Sequence, residues 1–113
     1  MTDCLFCKII NKEIPSELLY EDDKVVAFRD INPQAPVHFL VIPKEHIESA
    51  MDINEENNGL IGHIFNVACK LAKEEGLELG YRIVNNCKEH GGQTVNHIHF
   101  HILGGREMLW PPG

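Results

Sequence analysis

The 113 residues, 43% hydrophobic and 24% charged, have the balance of one ordinary globular domain spanning 1–113. A net charge of −7 excludes a general nucleic-acid binder, whose affinity comes from neutralising phosphates with basic patches. No apolar run reaches membrane-spanning length and no basic-then-apolar leader opens the chain. A cytoplasmic protein with no membrane partner is therefore expected, with Cys4, Cys7, Cys69 and Cys87 as reduced thiols.

In chain order, Leu5, Phe6, Ile9 and Ile10 keep helical spacing ahead of Pro15, which predicts a short helix over 4–11. Residues 17–20 and 25–29 flank the polar stretch Glu21-Asp22-Asp23-Lys24 and read as a β-hairpin. Residues 30–36, with two prolines, read as a loop. His38 to Ile42 is an apolar strand ended by Pro43, and a further helical turn is expected around 47–51. The clearest helix runs from about Glu55 to Glu75, with Asn54 as N-cap, two glutamates in the first turn and Gly76 just past the end. Its apolar stripe is Leu60, Ile61, Ile64, Phe65, Ala68, Leu71 and Ala72, with Cys69 beside it as a small core residue. Gly59 and Gly62 each cost about 1 kcal/mol relative to Ala in a helix, which predicts close packing against a sheet there. Residues 81–85 form the next strand, 86–95 a polar loop, and 97–103 the last strand. The tail from Arg106 to Gly113 is extended, with Trp110 as a candidate interface anchor. The fold class is α+β: a five-stranded, mostly antiparallel sheet with one long and one short helix.

The last strand carries the chemistry. His97, His99 and His101 alternate with Ile98, Phe100 and Ile102, so a strand puts three imidazoles on one face and three apolar residues on the other. His38 lies on a neighbouring predicted strand. Such a cluster either holds a metal or makes one imidazole a nucleophile that the others orient. The approach to it, His90-Gly91-Gly92-Gln93-Thr94, favours the second. Two glycines let the backbone come close to a ligand, and their amides with the Gln93 and Thr94 side chains could form an anion nest, which points to phosphorus chemistry.

His97-Ile98-His99-Phe100-His101-Ile102-Leu103 resembles the histidine triad motif. Phe6 to Ile10, Asp30 to His38, Ile42-Pro43-Lys44, Gly91-Gly92-Gln93 and the ending Trp110-Pro111-Pro112-Gly113 resemble the Hint branch of that family, so the likeness spans nearly the whole chain. It implies a HIT-like fold and a homodimeric hydrolase that cleaves the P–N bond of purine nucleoside 5′-phosphoramidates through a nucleotidyl-histidine. The alternatives are a dinucleoside polyphosphate hydrolase and a nucleotide-binding scaffold with vestigial hydrolysis. Carried over, the resemblance makes His99 the nucleophile. His97 and Thr94 contact the phosphate or leaving group, and His101 and His38 stand behind His99 sharing protons. Asn86, Gly92 and Gln93 lie on the phosphate side, and Asp30 accepts from the ribose hydroxyls. Leu5, Phe6, Ile9, Phe28, Ile31 and Leu40 form the slot for the base. The chain departs from the pattern at Thr94 (commonly Ser), Asn96 (often aromatic), Arg29 (often His) and Cys87 to His90, which bears on the leaving group more than on the reaction.

Cys4-Leu5-Phe6-Cys7 needs two further ligands to make a structural zinc site. His46 is the obvious third, and resemblance to some microbial histidine triad proteins supplies His97 as the fourth. The alternative is a pair of half-buried thiols on the first helix. Catalysis itself requires no cofactor in this reading.

Overall fold

Strand β3 (Val37–Pro43) is apolar on both faces because both are covered, and the rest of the molecule is arranged about it. The computed structural model describes residues 3–113. With β1 (Leu18–Glu21), β2 (Val25–Arg29), β4 (Tyr81–Val84) and β5 (Phe100–Gly104), β3 forms one antiparallel sheet in the order β1-β2-β3-β5-β4. Register assigns the faces. Ala27, Val41 and Phe100 stand opposite one another in one row, and Phe28, Leu40 and His101 in the next.

The first face is sealed by the long helix α2 (Asn58–Glu74) through Ile64, Val67, Ala68, Leu71 and Ala72, together with Ile98 and Ile102. The short helix α1 (Leu5–Ile10) covers the second face, where Phe6 and Ile9 pack on Val26, Phe28, Leu40 and Ile42. The histidines share this second, smaller core. Two further turns complete the chain: a 3-10 turn at Ala50–Asp52, closed by a reciprocal Ser49–Asp52 capping box, and α3 (Lys88–Gly91). Among the described residues, no helix is long and apolar enough to cross a membrane.

Several expectations are corrected at the level of local hydrogen bonds. α2 begins at Asn58, three residues later than its charge pattern suggested, because the Asn54 side chain accepts the N–H groups of Glu56 (2.8 Å) and Asn57 (3.1 Å) and builds a turn instead of a cap. Gly59 and Gly62 face open space rather than the sheet. The close approach is at Gly104, where a Cβ would stand 2.7 Å from Leu77 Cδ1. Cys69 is exposed, with its Sγ 3.3 Å from the Tyr81 hydroxyl. β5 begins at Phe100 because the Ile98 N–H leaves the sheet and donates to Ile47 O at 2.6 Å.

One polar node fastens the β1–β2 turn to α2. The Asp22 carboxylate accepts from Lys24 N, Val25 N, the Tyr20 hydroxyl and His63 Nε2. Burial opposes its ionisation, but these donors, His63 foremost, outweigh that and hold its pKa far below the usual carboxylate range. A depressed carboxylate contributes stability above its unfolded pKa of about 3.9 and loses it as pH falls below that value. Asp22→Ala is therefore expected to cost roughly 1–3 kcal/mol at pH 7 in denaturant melts. The difference from wild type should shrink on acidification below about pH 4.

Candidate functional site

The triad divides between two places. The His97 ring turns out of the row and into a cluster with Cys4, Cys7 and His46, all four ligand atoms lying within 4.8 Å of one another. α1 positions both thiols: Cys4 is its N-cap, accepting the Cys7 N–H at 3.4 Å, and Cys7 lies in the first turn. His97 Nδ1 is 3.4 Å from Cys4 Sγ, 3.6 Å from Cys7 Sγ and 3.2 Å from His46 Nδ1, and Cys7 Sγ is 3.3 Å from His46 Nδ1. Tetrahedral Zn²⁺ with Zn–N of about 2.0–2.1 Å and Zn–S of about 2.3 Å sets its ligands roughly 3.3–3.8 Å apart, so the donor set fits. His97 Nε2–H donates to Pro43 O at 2.8 Å, which leaves the Nδ1 lone pair directed at the cluster, as an outer-shell partner fixes a metal-binding imidazole. Burial pushes the His97 pKa down to about 4, keeping that lone pair free of a proton, and burial beside Cys4 pushes the Cys7 thiol up to about 11.

His99, His101 and His38 remain on the second face, and their backbone partners fix which nitrogen holds the proton. His38 Nδ1 accepts the Gln34 N–H at 3.1 Å, so its proton sits on Nε2, 3.0 Å from His101 Nδ1 and 3.4 Å from an Asp30 carboxylate oxygen. His101 Nδ1 is then an acceptor and its proton sits on Nε2. His99 Nδ1–H donates to His97 O at 2.7 Å, leaving the Nε2 lone pair free. The Asn85 amide holds the same segment by donating to His99 O at 2.9 Å, a contact between two loop ends that no sequence periodicity signals. Burial lowers the pKa of all three rings, that of His101 to about 4, so they are neutral at pH 7.

His99 is only 3% exposed, yet it lines a cavity of about 310 Å³. α1 contributes Leu5, Phe6 and Ile9 to that wall, and the sheet contributes Phe28, Leu40 and His101. Asp30, Ile31 and Thr94 stand at its loops. The Phe6 ring meets His99 edge-on at 5.0 Å between centroids and Phe28 at 5.6 Å. Ile14, Pro15, Ser16, Arg29 and Val95 also line it, and the sequence reading did not place them there. Pro15 was legible only as a helix stop. Arg29 is tied to Glu75 and Glu17, which fasten it to the end of α2 and to the segment before β1.

Asn86, Gly92 and Gln93 lie outside this wall. The Gly92 N–H donates to Glu89 O (3.1 Å) and the Gln93 N–H to Lys88 O (3.0 Å), completing α3. The Gln93 amide is likewise committed: Nε2 donates to Glu48 O (2.6 Å) and Val95 O (2.9 Å), and Oε1 accepts from Lys88 N (2.8 Å). Gln93 therefore clamps the loop that delivers the histidines.

Residues 3–110 match the family model described as scavenger mRNA decapping enzyme C-term binding. An uncharacterised HIT-like protein of Synechococcus elongatus is 51% identical over 98% of this chain and 97% of its own length. A 14 kDa zinc-binding protein of Zea mays is 54% identical over 96% of this chain and 87% of its own. Among solved structures, a HIT family hydrolase from Legionella pneumophila is similar with a TM-score of 0.96 and 54% identity, covering 98% of this chain and all of that one. A histidine triad protein from Clostridium difficile is similar at 0.93 and 50% identity, covering 96% of each chain. The chain belongs to the histidine triad family, alongside the HIT family hydrolase of Legionella pneumophila.

Proposed function

We propose that this chain hydrolyses the P–N bond of purine nucleoside 5′-phosphoramidates through a nucleotide carried on His99. The observation that supports it most is the proton arrangement: a buried, neutral imidazole whose Nδ1–H is held by His97 O and whose free Nε2 borders the cavity. In the first step His99 Nε2 forms a bond to the α-phosphorus, and the P–N bond breaks with its electron pair going to the amine nitrogen. The amine takes its proton from His101 Nε2–H, the positive charge on the nucleotidyl-His99 ring balancing the one given up until the attacking water returns a proton to His101 Nε2. His38 Nε2–H stays donated to His101 Nδ1 across 3.0 Å, and Asp30 stands beside the pair. Water then attacks phosphorus, the P–Nε2 bond breaks, and His99 returns neutral with a nucleoside monophosphate released. The apolar wall of Leu5, Phe6, Ile9, Phe28 and Leu40 suits a flat base, and the Asp30 carboxylate suits ribose hydroxyls.

Intact-mass analysis of protein quenched during turnover of an adenosine phosphoramidate tests this. A gain of one adenylyl group supports it, and an unmodified chain during active turnover overturns the covalent route. Parallel rates on a diadenosine polyphosphate separate the two hydrolase readings.

Cys4, Cys7, His46 and His97 are proposed to hold a structural zinc, a reading supported by their fit and by the relative named for zinc binding. In such a closed site the metal fixes backbone and offers no open position for substrate. The chain is also proposed to act as a homodimer. Among the described residues the outer edge of β4 has no strand partner; Leu79, just before that strand, is fully exposed, and Phe65 on α2, packed on Phe100 of the neighbouring β5, is 42% exposed. Phe65→Asp should shift sedimentation from dimer to monomer at micromolar concentration, and an unchanged mass would remove this face from the interface.

A further inference from the structure

α1 belongs to both sites at once. Its N-cap Cys4 and first-turn Cys7 face His46 and His97, while Leu5, Phe6 and Ile9 wall the cavity beside His99. Phe6 lies between the two cysteines in sequence, and its ring meets His97 at 6.0 Å and His99 at 5.0 Å. A helix of six residues is far below the roughly 12–15 that an isolated helix needs to be even marginal in water, so its place depends on what holds it. A second link runs through His97, whose ring joins the cysteines while its carbonyl accepts the His99 Nδ1–H at 2.7 Å.

We propose that α1 and His97 couple the two sites. Ligation of Cys4 and Cys7 fixes the helix that walls the cavity, and of His97 the carbonyl that orients His99, so metal and nucleotide each tighten the binding of the other. Whichever ligand arrives first orders α1, and the second no longer bears that ordering cost. The coupling is reciprocal by linkage, and couplings of this kind are typically 5–150-fold. It rests on the zinc and nucleotide readings above.

Three measurements test it. AMP affinity is measured by calorimetry on the zinc-loaded chain and on the chain stripped by chelator. Zinc release to a chromophoric chelator is followed with and without saturating AMP. The visible spectrum of the Co²⁺-substituted chain is recorded as AMP is added. Stripping should weaken AMP binding by a factor within roughly 5–150, AMP should slow metal release comparably, and the cobalt bands should shift. If the stripped chain unfolds, the cobalt and release measurements decide, because both start from the folded, loaded protein. Equal AMP affinity in folded loaded and stripped chains, or an unmoved cobalt spectrum with unaltered release at saturating AMP, overturns the coupling alone. No AMP binding by the loaded chain overturns the nucleotide reading and the coupling with it, and failure to take up stoichiometric metal does the same through the zinc reading.

Discussion

His99→Ala is expected to lower phosphoramidate turnover by roughly 10⁴-fold or more and to abolish the adenylyl mass increment. The substitution removes the Nε2 lone pair that borders the cavity, and no neighbour can replace it. His97 is turned into the cysteine cluster, His38 carries its proton on Nε2, and His101 Nδ1 is occupied by that same proton. His101→Ala should cost less, on the order of 10²–10⁴-fold, because it removes proton transfer and leaves the nucleophile in place. AMP should still bind the His99 variant, since the base wall is intact. Turnover within tenfold of wild type, measured by release of nucleoside monophosphate, would assign the nucleophile elsewhere.

Cys7→Ala is expected to lower the thermal midpoint in the presence of zinc by roughly 10–20 °C. At a free metal concentration a thousand times its dissociation constant, a site bound only in the native state contributes about 4 kcal/mol. The loss falls on α1, because Cys7 is both a donor to the cluster and a first-turn residue of that helix. The controls are internal. Chelation should bring the wild-type chain down to the midpoint of the variant, and the variant should be indifferent to chelator. A wild-type midpoint that does not move with chelator would mean that the four side chains hold no stabilising metal.

The sheet was legible because burial writes alternation into the chain: Ile98, Phe100 and Ile102 are in the core opposite the histidines, as their spacing predicted. The face of α2 was legible from Ile64, Ala68, Leu71 and Ala72 for the same reason. What the chain hides is where side chains replace backbone as partners. Asn54 reads as a cap and serves a turn, and no spacing announces that the Gln93 side chain bonds three backbone groups. The histidine row reads as a single surface, yet the Ile98 bond to Ile47 and the pull of two cysteines on the preceding ring divide it between two sites. Residue type announces capacity to bond, and only the fold chooses the partner.

Strand pairing stops at Phe100, and β4 ends at Val84. The fifteen intervening residues, 85–99, therefore lie outside every ladder of the sheet. Their length can drift without shifting a single cross-strand register, provided that the tethers at Asn85, Gln93 and Ile98 are kept. Grafts between those tethers, across Cys87 to His90, should travel between relatives as interchangeable cassettes while the scaffold stays untouched.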